Sequence, residues 1–277
     1  MNKTGIEWCD MTWNPATGCR HECEYCYARR IAGRFGTQLP DHSGYPEAHG
    51  GIHRLEQKVK GNPYPYLFEP TFFPFRLKEP ERKPKPQTIF VCSMADLFGA
   101  WVPEEWIDEV FEACKKAPQH RYLFLTKNPQ RYCDLAFIGK LPAEPNFWYG
   151  TTTTGPDMPF FYWNEANNFV SVEPLLKPFE AEATGGENPF ESVGWVIIGA
   201  ETGNRKGKVA PEREWVDTIC AAADEAHAAV FMKDSLLPIM GEENMRRELP
   251  WERQETRPLK SRKSSAAYST KSTTGRA

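Results

Sequence analysis

Three of the eight cysteines, Cys19, Cys23 and Cys26, stand within eight positions at the spacing C-x3-C-x2-C. The other five, Cys9, Cys92, Cys114, Cys133 and Cys220, are scattered singly. Thiolates are the usual protein ligands of iron–sulfur clusters, and three of them leave one iron of a four-iron cluster without a protein ligand. An open coordination position is how a metal site accepts a substrate or cofactor. The spacing therefore points to a reactive cluster rather than a closed structural one. The competing donor set is a zinc knuckle drawn from Cys23, Cys26 and two of Cys9, Cys19 or His21. The sequence has no second Cys-x2-Cys pair to complete it.

Such a loop must be positioned by regular elements, and these alternate along the chain. A short strand is expected near Met11–Asn14, ahead of the cysteines, and a short helix over Tyr27–Phe35, stopped by Gly36. Residues 36–70 show no periodicity and carry His42, His49 and His53, read as surface residues. A long irregular segment in a compact domain is an insertion or a lid. Thr71–Phe75, Thr88–Cys92, Tyr122–Leu125, Phe147–Tyr149, Phe169–Val172, Trp195–Ile198 and Ala229–Met232 read as further strands, short and apolar as buried strands are. Pro103 opens a helix with Glu104 and Glu105 in its first turn, favourable at the positive end of the helix dipole. Its inner stripe is Trp106, Ile107, Val110, Phe111 and Cys114. Another short helix runs from Pro129 through Phe137. Pro211 opens one whose inner face is Trp215, Ile219, Cys220 and Ala223. Strands alternating with helices predict an α/β protein with a parallel sheet of βα units, closed or partial as a (βα) barrel over residues 1–251. No G-x-G-x-x-G loop follows the first strand, against a doubly wound dinucleotide fold.

Ser93, Asp96, Thr126, Lys127, Thr151–Thr153, Glu173, Glu201 and Lys233 lie at or just after the carboxyl ends of these strands. In (βα) barrels that rim builds the active site, and the cysteine loop would share it. Ser93, Asp96, Lys127, Glu173 and Glu201 are the candidate cofactor contacts. Charged residues directly abutting strands, as in Val172-Glu173-Pro174 and Met232-Lys233, are the strongest of the set.

The net charge of −3 is uneven: Glu252–Ala277 carries seven Lys/Arg against two Asp/Glu, a tail of +5 on a body of −8. The tail is rich in Ser and Thr and poor in large apolar residues, the composition of a disordered segment. It is either a solvated terminus or a contact arm for nucleic acid. Hydrophobic residues make up 40% of the chain, enough for a substantial core, with no run as long as a membrane span. Met1–Gly5 has no signal-peptide character, so clustered cysteines are expected in the cytoplasm as a metal or redox site rather than as disulfides.

Cys19, Cys23, Tyr25 and Cys26, read as C-x3-C-x-aromatic-C, resemble the signature of the radical S-adenosylmethionine superfamily. The resemblance implies a [4Fe-4S] cluster on Cys19, Cys23 and Cys26, with S-adenosylmethionine on the fourth iron and Tyr25 near its adenine. It further implies reductive cleavage to a 5′-deoxyadenosyl radical, with an electron donor such as flavodoxin or ferredoxin. The segments IEWCDMTWNPATGC, FVCSMADLFG, FLTKNPQRY, FVSVEPLL and VGWVIIGAETG are together similar to an uncharacterised bacteriophage-associated family with the same cysteine motif. The superfamily's Gly-Gly-Glu segment is matched only by Gly185-Gly186-Glu187, which follows the wrong strand, and its G-x-I-x-G-x-x-E pattern is absent. The substrate stays open, with nucleic acid suggested by the tail. The second function class is a non-catalytic nucleic-acid-binding protein stabilised by zinc or a cluster. Strand-end carboxylates disfavour it, because they repel phosphate.

Overall fold

The chain divides into two units, Met1–Arg131 and Tyr132–Ala277, in a computed structural model that describes residues 1–37, 51–180, 187–252 and 268–271. In chain order the first unit holds β1 (Asn2–Lys3), β2 (Met11–Trp13), β3 (Ala16–Thr17), α1 (Tyr27–Phe35), β4 (His53–Arg54), β5 (Thr71–Phe72), β6 (Thr88–Val91), α2 (Glu104–Lys115) and β7 (Arg121–Thr126). Helix α3 (Pro129–Phe137) leads into the second unit. That unit holds β8 (Phe147–Thr153), β9 (Phe160–Trp163), β10 (Asn167–Val172), β11 (Trp195–Ile198), α4 (Arg213–Glu225), β12 (Ala229–Met232) and β13 (Tyr268–Lys271).

In the first unit β2, β6 and β7 run parallel, with β1 antiparallel on the edge at β2. Every residue of β6 is buried, as expected of a parallel strand covered on both faces. Helix α2 begins at Pro103 with Glu104 and Glu105, ends on Lys115, and buries Trp106, Ile107, Val110, Phe111 and Cys114 as its stripe requires. Phe111 meets Phe124 of β7 edge-on at 5.3 Å, and Phe98 closes the triangle at 6.1 and 6.0 Å. These are the offset and T-shaped contacts that aromatic quadrupoles favour.

In the second unit β8, β10, β11 and β12 form an all-parallel row. One face packs on α4: Val170, Val172, Val196 and Ile198 meet Val216, Ile219, Cys220 and Ala223. The inner stripe of α4 includes Val216, whereas Trp215, expected there, is only partly buried. The opposite face carries an aromatic layer, with Phe169 against Trp195 at 5.5 Å and Trp195 against Phe231 and Trp251.

The fold is thus mixed α/β with a mostly parallel sheet, and neither row closes on itself. Thr71–Phe75, expected as the second strand of that sheet, is instead the two-residue β5, paired with β3 and β4 in a separate small sheet. Pro74 follows it and starts a 3-10 turn, since proline has no N–H for a ladder. Thr151–Thr153 lie inside β8, not after it. Within the expected irregular segment 36–70, residues 38–50, with His42 and His49, lie outside the described residues. His53 is buried, contrary to its reading as a surface residue. Of the basic tail, Tyr268–Lys271 pair antiparallel with β9, while 253–267 and 272–277 lie outside the described residues. Gly185 and Gly186 also lie outside them.

Candidate functional site

The cysteine loop is clasped between two backbone segments of the first unit. Gly18 N–H donates to the Met94 carbonyl at 2.9 Å and bridges Ala95 in parallel register, while Cys19 N–H donates to the Phe68 carbonyl at 3.2 Å. Gly18 takes φ +88°, and a Cβ there would fall 2.2 Å from the Glu69 carbonyl oxygen. Only glycine satisfies both conditions. Asn14, just past β2, reaches the turn after β6: its Oδ1 accepts from Met94 N–H at 2.9 Å and from the Ser93 hydroxyl at 3.2 Å. That turn begins with Cys92 at φ +60°, an uncommon conformation for a non-glycine residue. The carboxyl ends of β2 and β6 are thereby tied together beside the cysteines.

Asp96 is the hub of the arrangement. Its Oδ1 accepts from Phe98 N–H at 3.0 Å and from the Thr126 hydroxyl at 2.8 Å. Its Oδ2 accepts from Lys127 N–H at 2.9 Å and lies 2.7 Å from His21 Nε2. One buried carboxylate thus joins the turn after β6, the end of β7 and the cysteine loop. Lys127 Nζ donates to the Tyr25 hydroxyl at 3.2 Å and sits 5.3 Å from its ring centroid. Tyr27 O–H donates to the Ser93 carbonyl at 2.6 Å. Tyr25, Ser93, Asp96 and Lys127, expected from the sequence to lie with Cys19, Cys23 and Cys26, do come together. The carboxylate of Asp96 is committed to protein donors, so its role here is positioning.

Several contributors carried weaker signals in the sequence. His21 lies inside the motif and is expected from the sequence only as a zinc alternative, and Asn14 only as the end of the first strand, before Pro15. Trp101 meets the His21 ring edge-on at 4.9 Å, and its buried Nε1 has no hydrogen-bond partner. Gly99 leaves room for that indole, since a Cβ would lie 2.4 Å from it. His53 stacks on Tyr66 at 3.6 Å and holds Glu69 at 2.5 Å, next to the segment that clasps Gly18.

All eight cysteines are free thiols, and the three of the loop are half-buried. Cys26 caps α1, its Sγ accepting the Arg29 N–H at 3.4 Å. Cys23 Sγ lies 4.0 Å from the His21 carbonyl. Burial pushes the Cys19 thiol up to about 12, against a lowering hydrogen bond at the His21 backbone, with Asp96, Cys23 and Cys26 adding repulsion. A bound cation would reverse that balance, because metal coordination deprotonates a thiol. The donors fit a thiophilic metal in kind and number. In their present rotamers they are turned to backbone groups, and among the described residues no three His, Cys, Asp or Glu side chains stand as a ligand group.

The second unit holds Glu173, Lys233 and Glu201. Glu173 and Lys233 form an ion pair at the ends of β10 and β12. Glu201, after β11, is buried and accepts from Nε and Nη2 of Arg205 at 2.7 and 2.8 Å. The Arg205 hydrogen bonds hold its carboxyl below the usual range, despite its burial. Each of these strand-end carboxylates therefore has a cationic partner on its own unit.

Fold and site together define a mixed α/β protein whose first unit clasps a three-cysteine loop at the carboxyl ends of parallel strands. The chain belongs to the family described as "Protein of unknown function (DUF5131)", whose family model matches residues 3–255. No curated protein and no solved structure matches it. No helix among the described residues is long and apolar enough to cross a membrane.

Proposed function

We propose that this protein is a radical S-adenosylmethionine enzyme whose Cys19, Cys23 and Cys26 hold a [4Fe-4S] cluster. The observation that carries this reading is the clasped loop: three free thiols within eight positions, fixed at the carboxyl ends of β2, β6 and β7 by Gly18, Asn14 and Asp96. When bound, such a cluster supplies one-electron cleavage of the cofactor's sulfonium, releasing a 5′-deoxyadenosyl radical. The chain's own part is to bind, orient and exclude water. Cys26 opens α1 as its N-cap, which fixes the third thiol at the start of a regular element. Tyr25 offers an aromatic face, and Lys127 beside it a cation and hydrogen-bond donor for a nucleoside ligand. Asp96 fixes His21 and the Lys127 backbone, and the Ser93 hydroxyl borders the same turn. In the second unit Glu173 pairs with Lys233, and Glu201 shapes the loop after β11 through Arg205. The reading includes a partial (βα) barrel, a cytoplasmic setting suited to free thiols, and a flavodoxin- or ferredoxin-like reductant.

His21 supports a second reading. A metal-ligating histidine usually gives its other ring nitrogen to a carboxylate, as His21 Nε2 does to Asp96. Cys19, Cys23, Cys26 and His21 would then close a structural zinc site in a nucleic-acid-binding protein. One preparation decides between the two: anaerobic purification, iron, sulfide and zinc analysis, then 5′-deoxyadenosine measured under dithionite with S-adenosylmethionine. About four irons per chain and a broad absorbance near 400 nm are expected. Cys19→Ala, Cys23→Ala and Cys26→Ala should each abolish both, while Cys114→Ala and Cys220→Ala, in helix cores, should not. Stoichiometric zinc without capacity for iron refutes the cluster.

A further inference from the structure

The inner face of the parallel row in the second unit is layered, and the layers follow from register. Phe169, Ser171 and Glu173 alternate onto one side of β10 and its extension. Phe169 pairs with Gly150 and Trp195, and Ser171 with Thr152 and Ile197. The ladder continues past the strand ends, with Glu173 N–H donating to Thr153, Gly199 N–H to Val172 and Lys233 N–H to Ile198. A Cβ on Gly199 would lie 3.1 Å from Lys233 Cδ and 3.3 Å from Glu173 Cδ, so these three residues share that side. Aromatic rings form the floor, Thr152 and Ser171 a hydroxyl layer above it, and the Glu173–Lys233 pair the open edge.

Two features of this edge point to a ligand. Ser171 is 1% exposed and its Oγ has no hydrogen-bond partner, although a buried hydroxyl normally has one. The ion pair above it is only partly covered, with side chains 17% and 28% exposed for Lys233 and Glu173. A ligand entering here must split that pair. An anion alone would take Lys233 and strand Glu173, and a cation alone would strand Lys233; an unpaired, half-buried charge is costly. Only a ligand bearing both charges replaces what it breaks.

We propose that the carboxyl edge of β8, β10, β11 and β12 is a subsite for an α-amino-acid head group. Lys233 takes the carboxylate, Glu173 the ammonium, and Ser171 a further polar atom of the ligand. A free amino acid, bound within the second unit, supplies this chemistry, and the proposal does not rest on the cluster reading.

The test is ligand-observed NMR on the full-length, iron-free protein with the twenty common L-amino acids and S-adenosylhomocysteine. At least one amino acid should bind, and its N-acetyl and carboxamide forms should bind at least tenfold more weakly. Ser171→Ala should weaken binding about tenfold with no fall in melting temperature, because the hydroxyl it removes has no partner in the free protein. Binding by a free amino acid supports the subsite, and binding by S-adenosylhomocysteine alone would overturn it. No binder, blocked analogues that bind equally well, or an unaltered Ser171→Ala would overturn the proposal. Because the measurement needs no iron, its failure is separate from failure of the cluster to form.

Discussion

Replacing Asp96 tests whether one carboxylate holds the site together. Asp96→Ala removes the acceptor for three protein donors, Phe98 N–H, the Thr126 hydroxyl and Lys127 N–H, in addition to its contact with His21. Asp96 is 6% exposed, so water cannot readily replace it. Each buried donor left unsatisfied costs roughly 1–3 kcal/mol, giving about 3–9 kcal/mol in total. A domain's whole stability is about 5–15 kcal/mol, so the variant should be marginal or unfolded. Asp96→Asn discriminates more finely. Its oxygen can stay with Phe98 and Thr126, and its amide can face His21 Nε2 as a donor. The same amide confronts the Lys127 N–H, donor against donor, which orphans one group at about 1–3 kcal/mol. Urea unfolding at pH 7 should therefore rank wild type above Asp96→Asn, with Asp96→Ala last. Asp96→Asn should also retain less iron after reconstitution, because His21 lies between Cys19 and Cys23. If Asp96→Ala costs under about 1 kcal/mol, on the scale of an ordinary surface change, the hub argument is wrong.

Gly18→Ala puts a Cβ 2.2 Å from the Glu69 carbonyl oxygen at φ +88°, so the loop must move. We expect a lower melting temperature and weakened iron binding; a variant that melts with wild type would show that the clasp yields easily. Glu201→Gln should cost roughly 1–3 kcal/mol at pH 7 by removing charge-assisted bonds to Arg205. The folded carboxyl titrates below the ordinary 4.5, so its contribution is present above that pH and fades as pH falls through the lower folded value. The gap between wild type and variant should narrow below pH 4.5; a pH-independent gap would refute the ion-pair account.

Much of the fold was legible because short apolar runs and helical stripes carry their period in the sequence. The expected strands at Thr88, Tyr122, Phe169, Trp195 and Ala229 and the helices α1 to α4 lie where that period puts them. The two-residue strands β1, β3 and β4 are too short to show any period, and β9, Phe160–Trp163, has apolar and aromatic residues on both faces. Thr71–Phe72 went to the small sheet because its partner is fixed by the chain's path from Pro15 to Phe73, which no local pattern records.

The same division runs through the site. Residue type and spacing alone marked the three cysteines, since their chemistry and proximity are local properties of one loop. Strand-end position alone marked Asp96, Lys127, Glu173 and Glu201. What each of these does was decided by residues distant in the chain. Asp96 was matched to His21 75 positions away, Lys127 to Tyr25 across 102, and Glu173 to Lys233 across 60. A hydrogen bond depends on distances of a few tenths of an ångström between side chains, and only the packed sheet sets those distances.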